Sequence, residues 1–283
     1  MALETKNTEI RHVRALFLSD VHLGMRPTRI VQLVDFLRHY DADTIYLVGD
    51  ILDGWRLAKA WYWPPVYNEF VDLMMQKAER GTRIVVLPGN HDEFLREYLG
   101  TYFGEIEFVD RTVHTSALGR TYLVMHGDQF DVVVAHAKWL AHVGDWAYRM
   151  ALRVNIFINW VRRRLRRPYW SLSAWAKHKV KNAVSVIGRF EEALTLEAKD
   201  TGVDGVICGH IHFADMHDRL GIHYINTGDW VESCTAVCET HEGQFELIHW
   251  VTQTQPLAKP PKAARSLRLG RRKVVPDLDA PAP

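Results

Sequence analysis

No stretch of this chain is apolar for long enough to cross a bilayer. The most hydrophobic region, 132–161, is interrupted by Lys138, Asp145, Arg149 and Arg153, whereas a span needs roughly 20 apolar residues. Cysteine is scarce: Cys208, Cys234 and Cys238 are the three in the chain. Their odd number, the lack of a C-x-x-C spacing and an N-terminus unlike a signal peptide exclude a disulfide framework and point to a reducing compartment. All three are expected to be buried thiols. Net charge is nearly absent as well, at a formal +1, so the chain is not basic throughout. There is no internal repeat.

Charge is unevenly distributed. Between Val132 and Phe190 twelve Lys and Arg residues face a single acid, Asp145. The densest part is NWVRRRLRRPYW (159–170), with five arginines in six positions and tryptophan at both ends. Residues 259–273 add seven basic residues and no acid. The remainder is therefore strongly acidic, a composition suited to holding cations. Ten tryptophans are many for 283 residues, enough to fill a core and also to line a wet apolar interface. A hydrophobic fraction of 47% with 24% charged residues is ordinary for a globular protein.

Short apolar runs recur, each closed by polar residues: VRALFLSD (13–20), TIYLVGD (44–50), RIVVLPGNHD (83–92), TYLVMHGD (121–128), GVICGHIH (205–212) and IHYINTGD (222–229). Their length suits buried strands better than helices. Helical patterns, IVQLVDFLRHY (30–40) and VYNEFVDLMMQKAER (66–80), separate the early ones, and Gly81 is placed to stop the second. This alternation predicts an α/β architecture with layered sheets. Residues 132–200 read instead as long helices without a strand, and the Pro-, Ala- and Lys/Arg-rich end beyond 255 as a disordered tail.

The loops after the strands collect one kind of chemistry: Asp20-Val-His22, Gly49-Asp50, Gly89-Asn90-His91-Asp92, His126-Gly127-Asp128 and Gly209-His210-Ile211-His212. In an open α/β sheet, ligands bind at the carboxyl ends of the strands. Imidazole, carboxylate and amide oxygen without thiolate suit Mn²⁺, Fe²⁺ or Zn²⁺. Seven such ligands are too many for one ion and fit two ions sharing a carboxylate. Strand alternation predicts that the first and third residues of Asp-x-His and His-x-His face one side. A lone Gly-Asp or a lone strand-end histidine carries little weight. Five of them in one order carry a great deal.

That order (D-x-H, GD, GNHD, H, GH-x-H) resembles the calcineurin-like metallophosphoesterase superfamily over about residues 13–250. The resemblance implies a four-layer αββα sandwich, with core residues 1–131 and 201–254, a helical lid insert at 132–200 and a tail at 255–283. It implies that Asp20, His22, Asp50 and His212 bind one metal, and that Asp50 (bridging), Asn90, His126 and His210 bind the other. His91 is then placed to protonate a leaving oxygen, and Asp92 to orient His91. Asp53 is a candidate support for the metal shell, as are Asp128 and Asp131.

Three features narrow the resemblance: FLSDVHLG (17–24), the insert, and INTGDWVESCTAV (225–237). They are similar to the UDP-2,3-diacylglucosamine diphosphatase family, in its GNHD-type branch rather than the branch that reads GNRD. The implied reaction splits UDP-2,3-diacylglucosamine into 2,3-diacylglucosamine 1-phosphate and UMP in lipid A biosynthesis, typically with two Mn²⁺ ions. The implied partner is a lipid-linked nucleotide sugar, met in the cytoplasm by a peripheral protein at the inner membrane surface. A basic, Trp-bearing lid above an acidic site would steer the anionic substrate, with Lys177, Lys181 and Arg163 as candidate contacts. A phosphodiesterase for nucleic acid or a soluble nucleotide is the alternative enzyme. Nucleic acid is not expected as a partner, because the basic residues share helices with large apolar ones and no stacking motif is present. A non-catalytic module would lack ligands, and all seven are present.

Overall fold

Phe17 and Leu18 are neighbours in the first strand and face different hydrophobic cores. The same alternation, repeated from strand to strand, builds the molecule in layers. The computed structural model describes residues 10–26, 28–130 and 173–250, with the side chains of 173–186 excepted. All of them belong to one compact unit, Met1–Val251.

Four strands that follow or precede helices run parallel in the first sheet: β1 (Arg11–Leu18), β2 (Tyr40–Val48), β3 (Arg83–Leu87) and β5 (Ile106–Phe108). The short β4 (Tyr102–Phe103) closes one edge and β11 (Thr235–Glu239) with β12 (Phe245–His249) the other, all antiparallel to their neighbours. The order is β12-β11-β1-β2-β3-β5-β4. The second sheet has the order β6-β7-β8-β10-β9. Its central strands β7 (Thr121–Val124), β8 (Gly205–Cys208) and β10 (Ile222–Asn226) are parallel, between antiparallel β6 (Thr112–Thr115) and β9 (Asp215–Arg219).

Ala15, Phe17, Tyr46, Val48, Val85 and Leu87 of the first sheet meet Tyr122, Val124, Ile207 and Ile225 of the second. The outer face of the first sheet packs on α1 (Ile30–His39) and α3 (Pro65–Glu79) through Leu33, Phe36, Leu37, Phe70 and Met74. The outer face of the second packs on α4 (Ser173–Thr201) through Phe190, Leu194 and Ala198. The result is the expected helix–sheet–sheet–helix sandwich. Its fourth layer is supplied by the C-terminal part of the stretch read as insert, because every third or fourth residue there is apolar. Residues 131–172, which include Asp131, Arg163 and the arginine run, lie outside the described residues, as does the tail from 251.

Gly81 sits just past α3 with φ +96°, the left-handed residue that ends a helix. All three cysteines are free and buried. No helix among the described residues is long and apolar enough to cross a membrane.

Candidate active site

β1, β2 and β3 end at Leu18, Val48 and Leu87, and β7 and β8 at Val124 and Cys208. Being parallel within their sheets, they deliver their following loops to common edges, and the two edges meet. His126 Nε2 of the second sheet lies 3.5 Å from Asp50 Oδ2 of the first. His212 Nε2 lies 3.2 Å from Asp20 Oδ1.

Side-chain alternation does not explain this convergence. Asp20, His22, Asp50, His210 and His212 all have positive φ, between 52° and 72°. The strands have ended before these residues, so Asp-x-His and His-x-His are left-handed loop segments rather than strand faces. Non-glycine residues pay roughly 1–2 kcal/mol for such a conformation, and strain of this kind clusters at functional sites. Backbone bonds hold it in place: Asp20 N–H donates to Gly49 O at 3.0 Å and His22 N–H to Asp50 O at 2.9 Å. Gly89 leaves room for the cluster, since a Cβ there would lie 2.3 Å from Asp50 Oδ1 and 2.7 Å from His126 Nε2.

Two groups of donors form, Asp20–His22–His212 and Asp50–His126–His210, each able to close around a cation. His22 joins them: its Nε2 is 3.3 Å from His212 Nε2 and 3.7 Å from Asp50 Oδ2. Asp50 divides its oxygens. Oδ1 accepts the His91 backbone N–H at 2.8 Å, while Oδ2 faces both His22 and His126. Asp20 does likewise, with Oδ2 accepting from Ser19 Oγ and from His210 N–H. His126 Nδ1 is 2.9 Å from the Val48 carbonyl, an acceptor only. Nδ1 is therefore a donor and Nε2 faces the cluster, where a cation would displace any proton it carries, the usual orientation of a ligating imidazole.

These residues fit divalent ions. Asp20 Oδ1, Asn90 Oδ1 and His126 Nε2 are buried with no hydrogen-bond partner. Leaving such groups unsatisfied costs roughly 1–3 kcal/mol each, and a cation satisfies all three. The electrostatics agree. Burial alone would raise the Asp20 carboxyl, but His212 and His126 hold it well below the usual carboxylate range. Burial alone would lower the His126 imidazole, yet Asp50, Asp20 and Asp128 push it up to about 10. A pocket that draws protons onto a buried imidazole is one that a metal ion fills by displacing them.

His91 stands at the rim, half-buried, its ring edge-on to His22 at 4.6 Å between centroids. Here the expectation for Asp92 fails. Its buried carboxylate is occupied by the backbone N–H groups of Gly89, Asp50, Ile51 and Leu52, at 2.6–3.2 Å. It ties the GD loop to the GNHD loop and does not orient His91. The carboxylate beside His91 is that of Asp53, with Oδ1 3.3 Å from Nδ1, close but not aligned for a hydrogen bond. Asp53 also caps α2 (Gly54–Lys59), accepting from Arg56 N–H at 2.9 Å. Asp128 pairs with Arg96, on the helical turn Glu93–Tyr98 that follows the GNHD loop, at 2.8 Å. Lys177 and Lys181 fall on α4, but their side chains lie outside the described residues, as Arg163 does entirely.

Two supports went unread in the sequence. Ser19 Oγ bonds Asp20 and Thr227. Asp229 Oδ1 accepts from Val231, Glu232 and Ser233 N–H and so shapes the loop after β10, whose Trp230 N–H reaches Asp20 O at 3.1 Å. Ser19 stands in the FLSD run and Asp229 in the NTGD run, each at the polar end of an apolar strand.

A family model described as calcineurin-like phosphoesterase matches residues 13–214. Among curated proteins, the UDP-2,3-diacylglucosamine hydrolase of Haemophilus influenzae (strain PittGG) is 25% identical, covering 82% of this chain and 97% of that protein. The protein of the same name from Chromohalobacter salexigens is 27% identical, with 76% and 88% covered. The one from Porphyromonas gingivalis is 30% identical over a shorter match, with 40% and 45% covered.

Proposed function

The chain belongs to the calcineurin-like phosphoesterase family and is a hydrolase of phosphoester or pyrophosphate bonds, and from that premise we propose that it cleaves the pyrophosphate of a lipid-linked nucleotide sugar. The substrate that its relatives' names support is UDP-2,3-diacylglucosamine, with UMP and 2,3-diacylglucosamine 1-phosphate as products.

In this reading Asp20, His22, Asp50 and His212 hold one divalent ion, and Asp50, Asn90, His126 and His210 the other. The carrying observation is the Asp50 carboxylate, whose Oδ2 faces His22 on one side and His126 on the other. Manganese is the proposed metal, with iron and zinc compatible with the same donors. When bound, such ions neutralise phosphoryl charge and make water nucleophilic near neutral pH. The chain's own residues do the rest. Asp50 Oδ1 fixes the His91 backbone. Asp92 locks the two loops at their working separation. His91 donates a proton to the departing oxygen, with Asp53 beside its Nδ1 to balance the charge of the protonated ring.

The basic stretch 132–200, short of the residues from Phe190 onward that pack on the second sheet, is the proposed cover of this site, with Arg163, Lys177 and Lys181 toward the substrate. An acylated substrate would bring the protein to the cytoplasmic face of the inner membrane. The test is hydrolysis of UDP-2,3-diacylglucosamine and of its deacylated analogue by the full chain with Mn²⁺. Faster turnover of the acylated compound is expected. Equal turnover removes the lipid from the proposal, and no turnover of either removes the nucleotide sugar.

A further inference from the structure

Trp55 belongs neither to the donor groups nor to the buried hydrophobic clusters. It begins the exposed face of α2, two residues after Asp53, and 47% of its surface is open to solvent. Its ring lies 4.2 Å from that of His91, centroid to centroid, at a tilt of 36°. His91 thus contacts two rings, that of His22 in the donor cluster at 4.6 Å and that of the exposed Trp55 at 4.2 Å. Asp53 sets the spacing, since one carboxylate both caps α2 and flanks His91 Nδ1.

Gly54 completes the arrangement. Its N–H donates to His91 O at 2.9 Å, and a Cβ at that position would stand 2.9 Å from His91 O and 3.0 Å from the Phe94 ring. Phe94 is also widely exposed, at 44%. An ionic centre is thus bordered, on the His91 side, by two aromatic rings left in water. Exposed tryptophan beside a polar site offers a large, rigid stacking face at little cost in side-chain freedom.

We infer that Trp55 is a stacking subsite for a ring carried by the substrate, either the nucleobase or the hexose, on the leaving-group side of the scissile bond. The inference rests on the proposed reading of His91 as the residue that meets the departing oxygen: whatever that oxygen carries is led outward past His91 and onto Trp55. An aromatic side chain can receive either ring, a nucleobase through its π face and a pyranose through the C–H groups of its less polar face. Trp55 then sets which phosphoester is preferred, and leaves the bond-breaking groups themselves unchanged.

The experiment compares full-length wild type with Trp55→Ala and Trp55→Phe, all loaded with Mn²⁺, on three pyrophosphates. These are UDP-glucose, ribose 5-diphosphoglucose (base deleted) and uridine diphosphate methyl ester (hexose deleted). Trp55→Ala is expected to lose about tenfold in kcat/KM on UDP-glucose, chiefly through KM, which is the lower part of the range for one stacked ring. Trp55→Phe should recover most of it. On one ring-deleted probe the loss should shrink to about twofold or less, and that probe identifies the ring. An equal loss on all three would show that Trp55 only steadies His91, overturning the inference while the proposed function stands. No loss on UDP-glucose would overturn it as well. If the wild type cleaves none of the three, the comparison is made on UDP-2,3-diacylglucosamine. An unchanged KM for Trp55→Ala there would overturn the inference, and no turnover by the wild type would sink the nucleotide-sugar reading with it.

Discussion

Asp53 Oδ1 lies 3.3 Å from His91 Nδ1, whereas Asp92, the next residue in the chain, turns its carboxylate to four backbone N–H groups. Two aspartates near one histidine thus have different work, and substitution should separate them. Asp53→Asn should lower kcat by about 10- to 100-fold, part of the usual contribution of acid–base catalysis, with both metal equivalents retained. Asp92→Ala should instead destabilise the fold by about 3 kcal/mol, since hydrogen bonds to a charged group contribute roughly 1.5–3 kcal/mol each and water replaces some of them. Metal analysis and denaturant melts on the two variants distinguish these outcomes. Loss of metal from Asp53→Asn would reassign that residue.

Gly89→Ala is the mildest change that should empty the site. The added methyl would sit 2.3 Å from Asp50 Oδ1 and 2.7 Å from His126 Nε2, so both side chains must move. Bound metal should fall below one equivalent per chain and hydrolysis by more than about 100-fold, as expected when metal-dependent charge stabilisation is lost. Far-UV circular dichroism should be unchanged. A variant with two metals bound and normal activity would contradict the close approach of Gly89.

Acid stability should depend on Glu239. Its carboxylate is buried and accepts from Arg14 at 2.7 Å, from Ala117 N–H at 2.7 Å, and lies 2.7 Å from His114 Nε2. Burial alone would raise its pKa, but His114, the Ala117 N–H and Arg14 together lower it below the ordinary 4.5. A carboxylate with a depressed folded pKa adds stability that is complete above the unfolded value and is lost as pH falls through the folded one. Urea midpoints of the wild type should therefore decline below about pH 4.5 more steeply than those of Glu239→Gln. Parallel curves would deny Glu239 this part.

Phe190→Ala tests the fourth layer. Phe190 is fully buried against the second sheet and also approaches His210, 5.9 Å between centroids. Truncation of a buried phenylalanine costs about 3–5 kcal/mol, read as a lower urea midpoint. An unaffected midpoint would mean that Phe190 does not anchor α4 to the second sheet.

The metal-binding character of this protein was legible in the sequence because ligation depends on residue type. Carboxylate, imidazole and amide oxygen are among the few side-chain donors that replace a divalent ion's water, and Asp20, His22, Asp50, Asn90, His126, His210 and His212 stand where apolar runs stop. The central strands were legible for a related reason. Most of each is buried on both faces, most completely toward its C-terminal end, so β1 and β2 close on the apolar runs ALFL and IYLV. The edge strands β9 (DMHDR) and β12 (FELIH), with partly buried or exposed faces, carry no such run. They are strands because β10 and β11 offer them an open row of hydrogen bonds.

Tertiary structure alone decided which group serves which. Five of the candidate metal-site residues adopt left-handed backbone, a choice that local sequence disfavours and that bonds from neighbouring loops enforce. The partner of His91 was decided likewise: Asp92 is nearest in sequence, but its carboxylate is the one that four converging amide groups can reach. Residue chemistry is local and survives in the sequence, whereas the direction of a side chain depends on what the rest of the fold packs around it.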